Sequence, residues 1–167
     1  DVVDPSAYYF TPVYWAKDHK VTAGTTTTTF SPSSTVSRGD MITWLYRYAG
    51  SPAVSTTTKF KDVKDSDYYA KAVAWATSKG ITFGTSDTTF SPKKAVTRAE
   101  MISFLYRYSQ AVGKTDGESG KSDFNDVLSS KYYASAVAWG AENGVVAGYA
   151  DGTFRPDKTC TRAEGVS

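Results

Sequence analysis

Three arginines share one local setting: TVSRGDM around Arg38, AVTRAEM around Arg98 and TCTRAEG around Arg162. A Ser or Thr precedes each, and an acid stands two residues after it. A hydroxyl followed three positions later by a carboxylate marks a capped helix start, because the hydroxyl takes a free backbone N–H and the acid reaches back to the cap. In AVTRAEM, Thr97 and Glu100 supply that pair, and Val96 and Met101 stand where a hydrophobic staple would close across it. The arginine then occupies the first helical position, where the helix dipole disfavours a cation by about 0.3–1 kcal/mol. Two chemistries would offset that cost. The guanidinium could join the unused N–H groups of the helix end in holding an anion, or it could pair with a carboxylate such as Asp62 or Asp126 and fasten two parts of the chain together.

The same register bears on Arg38-Gly39-Asp40. As an exposed loop tip this tripeptide would suit integrin adhesion. Aligned on Thr-Arg-Ala-Glu it becomes the first turn of a helix, with Ser37 as cap, Asp40 as a shorter counterpart of Glu100, and Gly39 lowering helix propensity. Other reactive groups are scarce. A single His and a single Cys exclude an internal disulfide and leave no set for a Cys/His zinc site. A Ser-His-Asp triad would need His19, which lies in the polar stretch AKDHK without a supporting motif. A hydrolase pair would need acids that already read as caps and loop formers. No catalytic residue, cofactor or metal is expected, since the Asp and Gly of GYADGTF make a turn rather than a calcium cage. Cys160 reads as a small buried apolar residue. The 167 residues carry 19 basic and 17 acidic side chains, net +2, with no Lys/Arg stripe of the kind nucleic acid demands. No run approaches the ~20 apolar residues of a membrane span. Twelve Tyr and four Trp suit carbohydrate or protein partners.

What positions the arginines is a threefold repeat. Trp15, Trp75 and Trp139 are followed nine residues on by Gly24, Gly84 and Gly148, six further by Phe30, Phe90 and Phe154, and eight further by the three arginines. The copies span 1–50, 60–110 and 124–167, joined by 51–59 and 111–123, which are rich in small and polar residues. Each reads as helix, loop, helix. In the second copy Tyr69, Ala72, Val73 and Ala76 recur at helical spacing and Gly80 closes the helix. The loop ITFGTSDTTFSPKK follows, anchored by Phe90. A second helix then presents Met101, Phe104, Leu105 and Tyr108, matched in the first copy by Met41, Trp44, Leu45 and Tyr48. One such helix pair has too little core to stand alone, so the copies are expected to pack on one another.

The order Asp-Val, Tyr-Tyr, Ala-Val-Ala-Trp, Gly, Phe-x-Pro and Thr-Arg-Ala-Glu resembles the S-layer homology (SLH) module, and three copies cover essentially the whole chain. This resemblance implies an all-α fold, three helix-loop-helix repeats packed as a pseudo-threefold (three-prong) domain. It also implies an extracellular module at the bacterial cell surface that anchors a surface protein non-covalently to the wall. The expected partner is secondary cell-wall polysaccharide, commonly pyruvylated on an amino sugar, bound in clefts between repeats. Position by position, Arg38, Arg98 and Arg162 would hold the pyruvate carboxylate, and Asp1, Asp62 and Asp126 would accept from sugar hydroxyls or steady the arginine. Trp15, Trp75 and Trp139 would lie against a sugar face or fill the core. Gly24, Gly84 and Gly148 would let the loop backbone approach the ligand, and Lys71 would add a charge that Thr11 and Ser135 lack. The alternative is a protein–protein assembly module of a surface layer or filament, with the arginines bridging subunits.

The copies depart from one another in three places. Pro12 falls inside the first helix of copy one and is expected to shift or shorten it. TTTTT at 25–29 lacks the loop Asp of its siblings. The third copy stops at TRAEGVS, where its second helix should begin, with Gly165 for Met101 and Cys160 for Val96, and so reads as the trace of a longer protein.

Overall fold

A computed structural model describes residues 1–115 and 120–167, so residues 116–119 of the 111–123 linker lie outside the described residues. Among the described residues the chain is all-α, with six helices and no strand: α1 (Phe10–Asp18), α2 (Arg38–Tyr48), α3 (Ala70–Ser78), α4 (Arg98–Ala111), α5 (Ala134–Glu142) and α6 (Arg162–Val166). No described helix is long and apolar enough to cross a membrane. The chain forms two compact units. One comprises Asp1–Ser78, Phe83–Val96 and Thr159–Ser167; the other comprises Lys79–Thr82 and Thr97–Lys158.

Helices α1, α3 and α5 have nine residues each and start five residues before Trp15, Trp75 and Trp139. Pro12 therefore neither shifts nor shortens α1. It is the third helical residue, whose N–H has no acceptor within the helix, so its loss removes nothing. Two residues past the end of each helix stands a left-handed residue, Lys20 (φ 59°), Gly80 (φ 69°) and Gly144 (φ 66°).

In the first unit α2 packs on α3 and α1 on α6, and in the second α4 packs on α5. Every pair joins helices from different copies. The apolar face of α2 consequently differs from the one its spacing suggested: Ile42 and Tyr46 are buried with Met41, Trp44 and Leu45, whereas Tyr48 is 51% exposed. Likewise α4 buries Ile102 and Tyr106 in a core with Tyr133, Val137 and Phe154, while Leu105 is only partly buried. Met101 and Phe104 stay buried as Met41, Trp44 and Leu45 do, so facing a neighbouring copy widens the buried stripe to include Ile42, Tyr46, Ile102 and Tyr106 and leaves out its C-terminal end. In the first unit three extended segments also close on one another through Val36 N–H to Cys160 O (3.0 Å), Cys160 N–H to Val96 O (3.0 Å) and Val96 N–H to Val36 O (2.9 Å). Cys160 is fully buried there, as a small apolar residue would be.

Candidate functional site

Each second helix begins with its cap in place. Ser37 accepts from Asp40 N–H, and Thr97 and Thr161 form full capping boxes with Glu100 and Glu164. Arg38-Gly39-Asp40 is accordingly a wound first turn, with Arg38 and Gly39 buried. The remaining N–H groups of these starts are not free for an anion. Arg38 and Gly39 donate to Lys94 O and Pro92 O (both 2.9 Å). Arg98 and Ala99 donate to Lys158 O (2.9 Å) and Pro156 O (3.0 Å), and Arg162 and Ala163 to Ser34 O (2.8 Å) and Pro32 O (3.0 Å). The expected anion pocket of helix N–H groups is thereby corrected: a loop of another copy supplies the acceptors.

The guanidinium groups follow the same logic. Nε of Arg38 donates to Phe90 O (2.9 Å), that of Arg98 to Phe154 O (2.8 Å) and that of Arg162 to Phe30 O (2.7 Å). Each guanidinium lies over the ring of the same phenylalanine at 4.8, 4.5 and 4.7 Å. Among the described residues the pairing with Asp62 or Asp126 is not made. Those carboxylates and Asp1 instead cap the other side of the phenylalanine: Asp62 accepts from Phe90 and Ser91 N–H (2.8 and 2.7 Å), Asp126 from Phe154 and Arg155 (2.7 Å each), and Asp1 from Phe30 and Ser31 (2.8 and 2.6 Å). Arginine and aspartate thus meet through one backbone, carbonyl on one side and N–H on the other.

The tryptophans divide. Trp75 is buried against Tyr46 at 5.5 Å between ring centres, Trp139 is half-buried against Tyr106 at 5.6 Å, and Trp15 is 44% exposed, stacked on His19 at 4.1 Å. Core filling accounts for Trp75. The glycines have a packing role: a Cβ on Gly84 would strike Phe60, one on Gly148 would strike Phe124, and one on Gly24 would come within 2.5 Å of Thr29 O. No approaching ligand is needed to explain them. Lys71 is exposed on α3.

Four residues stand at or near the guanidinium groups without having been expected in the site. Trp44 lies 4.9 Å from the Arg162 guanidinium, and Tyr149 lies 5.3 Å from that of Arg98. Asp40 stands 3.8 Å from Nη1 of Arg162 and accepts a 2.7 Å hydrogen bond from the hydroxyl of Tyr68, which is 63% exposed. Burial first, then the hydrogen bond to Asp40, pushes the Tyr68 hydroxyl well above its ordinary pKa. Desolvation lowers the pKa of Arg162, with Asp40 opposing. Nη2 of Arg98 donates to Ala147 O (2.8 Å), but Nη2 of Arg162 is buried with no hydrogen-bond partner among the described residues. The Tyr-Tyr pair of every copy was the available signal for Tyr68.

The S-layer homology domain profile matches residues 3–42, 59–102 and 123–164. The chain is 32% identical over 146 residues to a cellulosome-anchoring protein of Acetivibrio thermocellus, covering 83% of this chain and 32% of that protein. It is 32% identical over 132 residues to the surface-layer 125 kDa protein of Lysinibacillus sphaericus, 78% of this chain and 11% of that one. It is 30% identical over 162 residues to the exoglucanase XynX of A. thermocellus, 92% of this chain and 15% of the enzyme. The matched region is thus a third or less of these relatives.

Proposed function

The chain belongs to the S-layer homology family, and from that premise we propose that it anchors a bacterial surface protein non-covalently to the cell wall by holding secondary cell-wall polysaccharide, pyruvylated on an amino sugar, between its repeats. Relatives named for cellulosome anchoring and for the surface layer support a role at the cell surface. The match to an enzyme covers 15% of it, in keeping with an accessory binding module.

One observation carries the polysaccharide reading: Nη2 of Arg162 is buried without a hydrogen-bond acceptor among the described residues. An unmet charged donor is costly, and a sugar-borne carboxylate is the acceptor that suits a guanidinium best. Tyr68, exposed beside Asp40, offers a ring on which a sugar face can rest. Arg38 and Arg98 are the counterparts at the other junctions. The test is sedimentation of the protein with purified wall, native and depyruvylated. Arg162→Lys keeps the charge but loses the planar fork, and should weaken binding to native wall about tenfold, or ~1.4 kcal/mol. Equal binding of wild type to both walls would end the reading.

A second reading, assembly between protein chains, is favoured by the exposed aromatics Tyr14 (44%), Trp15 (44%) and Tyr48 (51%). Sedimentation velocity without polysaccharide separates the two: a self-assembling module forms oligomers, whereas an anchor stays monomeric.

A further inference from the structure

A cleft opens beside Gly24 in the first copy. Val2, Val13, Tyr14, Thr22 and Phe30 line it together with the glycine, and its volume is about 210 Å³. An apolar cavity of about 150 Å³ already suffices to take up benzene. Val2, Val13, Thr22 and Phe30 are all buried, so packed residues set the walls.

The other two copies show what such a cleft holds. The ring of Phe60 covers Gly84 and that of Phe124 covers Gly148, each so close that a Cβ on the glycine would strike it. Between ring centres, Phe60 lies 5.8 Å from Phe90 and Phe124 lies 5.6 Å from Phe154. The residue after each covering ring also bonds to the loop: Lys61 N–H donates to Thr88 O (2.9 Å) and Asn125 N–H to Gly152 O (3.0 Å).

The first copy has the same receiving parts. The atoms nearest a Cβ on Gly24 are backbone atoms of Thr26 and Thr29, with no ring among them. Phe30 matches Phe90, and Thr28 matches Thr88, with a carbonyl that accepts no hydrogen bond among the described residues. Tyr14 stands at the rim where the siblings have Ala74 and Ala138. Its hydroxyl donates to Val2 O (3.1 Å) and its ring packs on Phe10, 4.8 Å between centres.

We propose that this cleft is a docking site for a phenylalanine side chain presented on an extended peptide segment of a protein partner. The ring fills the space against Gly24 and Phe30, and the N–H of the residue after it donates to Thr28 O, a side-chain pocket combined with main-chain pairing. Phe30 also carries the Arg162 guanidinium at 4.7 Å, so a docked ring adds to the packing of that junction. The site uses neither an anion nor a sugar and stands apart from the anchoring reading.

The probe is the peptide acetyl-Lys-Phe-Lys-amide, the sequence of residues 59–61, titrated into the ¹⁵N-labelled full chain. Saturable shifts of the Val2, Gly24 and Thr28 amides, with a Kd of about 1 mM, are expected. Acetyl-Lys-Ala-Lys-amide should bind about tenfold more weakly or not at all, because burial of the ring is the main gain. Adding Lys-Phe-Lys ahead of Asp1 supplies the ring from within the chain and should abolish binding of the peptide; adding Lys-Ala-Lys should retain it. No saturable shift in the wild type, equal affinity for the two peptides, or undiminished binding to the chain with the added phenylalanine would overturn the proposal.

Discussion

The junction at Arg98 and the junction at Arg162 are built from the same motif and finished differently. Both arginines give Nε to a phenylalanine carbonyl and lie over its ring. At Arg98 the second nitrogen also reaches Ala147 O, and the 14 residues of α4 pack along α5 to bury Ile102, Tyr106 and Phe154. At Arg162 the second nitrogen has no acceptor among the described residues, and α6 has five residues. The motif by itself secures the clamp. Whether the clamp is closed, and whether a tryptophan is covered, depends on what the helix body and the loop add.

The largest effect should come from the core at the Arg98 junction. Phe154→Ala is expected to cost about 3–5 kcal/mol in urea unfolding, because a fully buried ring leaves a cavity. Trp15→Ala, removing a ring that is 44% exposed, should cost about 1 kcal/mol. Equal losses would erase the distinction. Next come the arginines. Arg98→Ala removes two charge-assisted hydrogen bonds and strands two carbonyls, about 3 kcal/mol, whereas Arg162→Ala removes one such bond and a buried unmet donor, about 1.5 kcal/mol. A larger loss at Arg162 would show that Asp40, 3.8 Å away, closes that junction after all. Smaller still, Thr97→Ala should cost about 1 kcal/mol through its cap, and Thr161→Ala less than half of that, since α6 has little more than one turn to lose; thermal melts monitored by circular dichroism would read both.

How much of this was legible in the sequence follows from what leaves a trace in side chains. The repeat, the caps, the burial of Phe90 and Cys160 and the helical state of Arg-Gly-Asp rest on local patterns, and these were readable. The partners of the arginines were not. They are backbone carbonyls, 52 residues away for Arg38 and 132 for Arg162, and a carbonyl is the same whatever residue carries it. The carboxylates of Asp1, Asp62 and Asp126 found backbone N–H groups for the same reason. Tyr48 shares the helical spacing of the apolar face yet is exposed, because that spacing gives the period of a face but not the direction of the neighbour it meets. The role of Gly84 and Gly148 could have been read, since Phe60 and Phe124 both stand two residues before the Asp-Val pair and cover them.

The smallest effect is a difference in acid response between the two loops. Asp151, in the loop under Arg98, has its pKa lowered from 3.8 to about 2, chiefly by the Thr153 hydroxyl and then by Arg155. The corresponding residue under Arg162 is Thr27, which does not titrate. A carboxylate whose folded pKa lies below its unfolded value contributes stability that is fully present above the unfolded value and is lost as pH falls through the folded one. The Asp151 contribution should hold from neutral pH down to about pH 4 and disappear between there and about pH 2. Because the side chain is 53% exposed, the change should be a local loosening rather than unfolding. Carboxyl-carbon NMR would follow it directly. Arg155→Ser should raise the Asp151 midpoint part of the way toward 3.8, and Thr153→Val should raise it further, since the hydroxyl bond is the greater cause. A wild-type midpoint near 3.8 would mean that Asp151 holds neither partner in solution, and Arg155 would then face solvent without the carboxylate that now neutralises it.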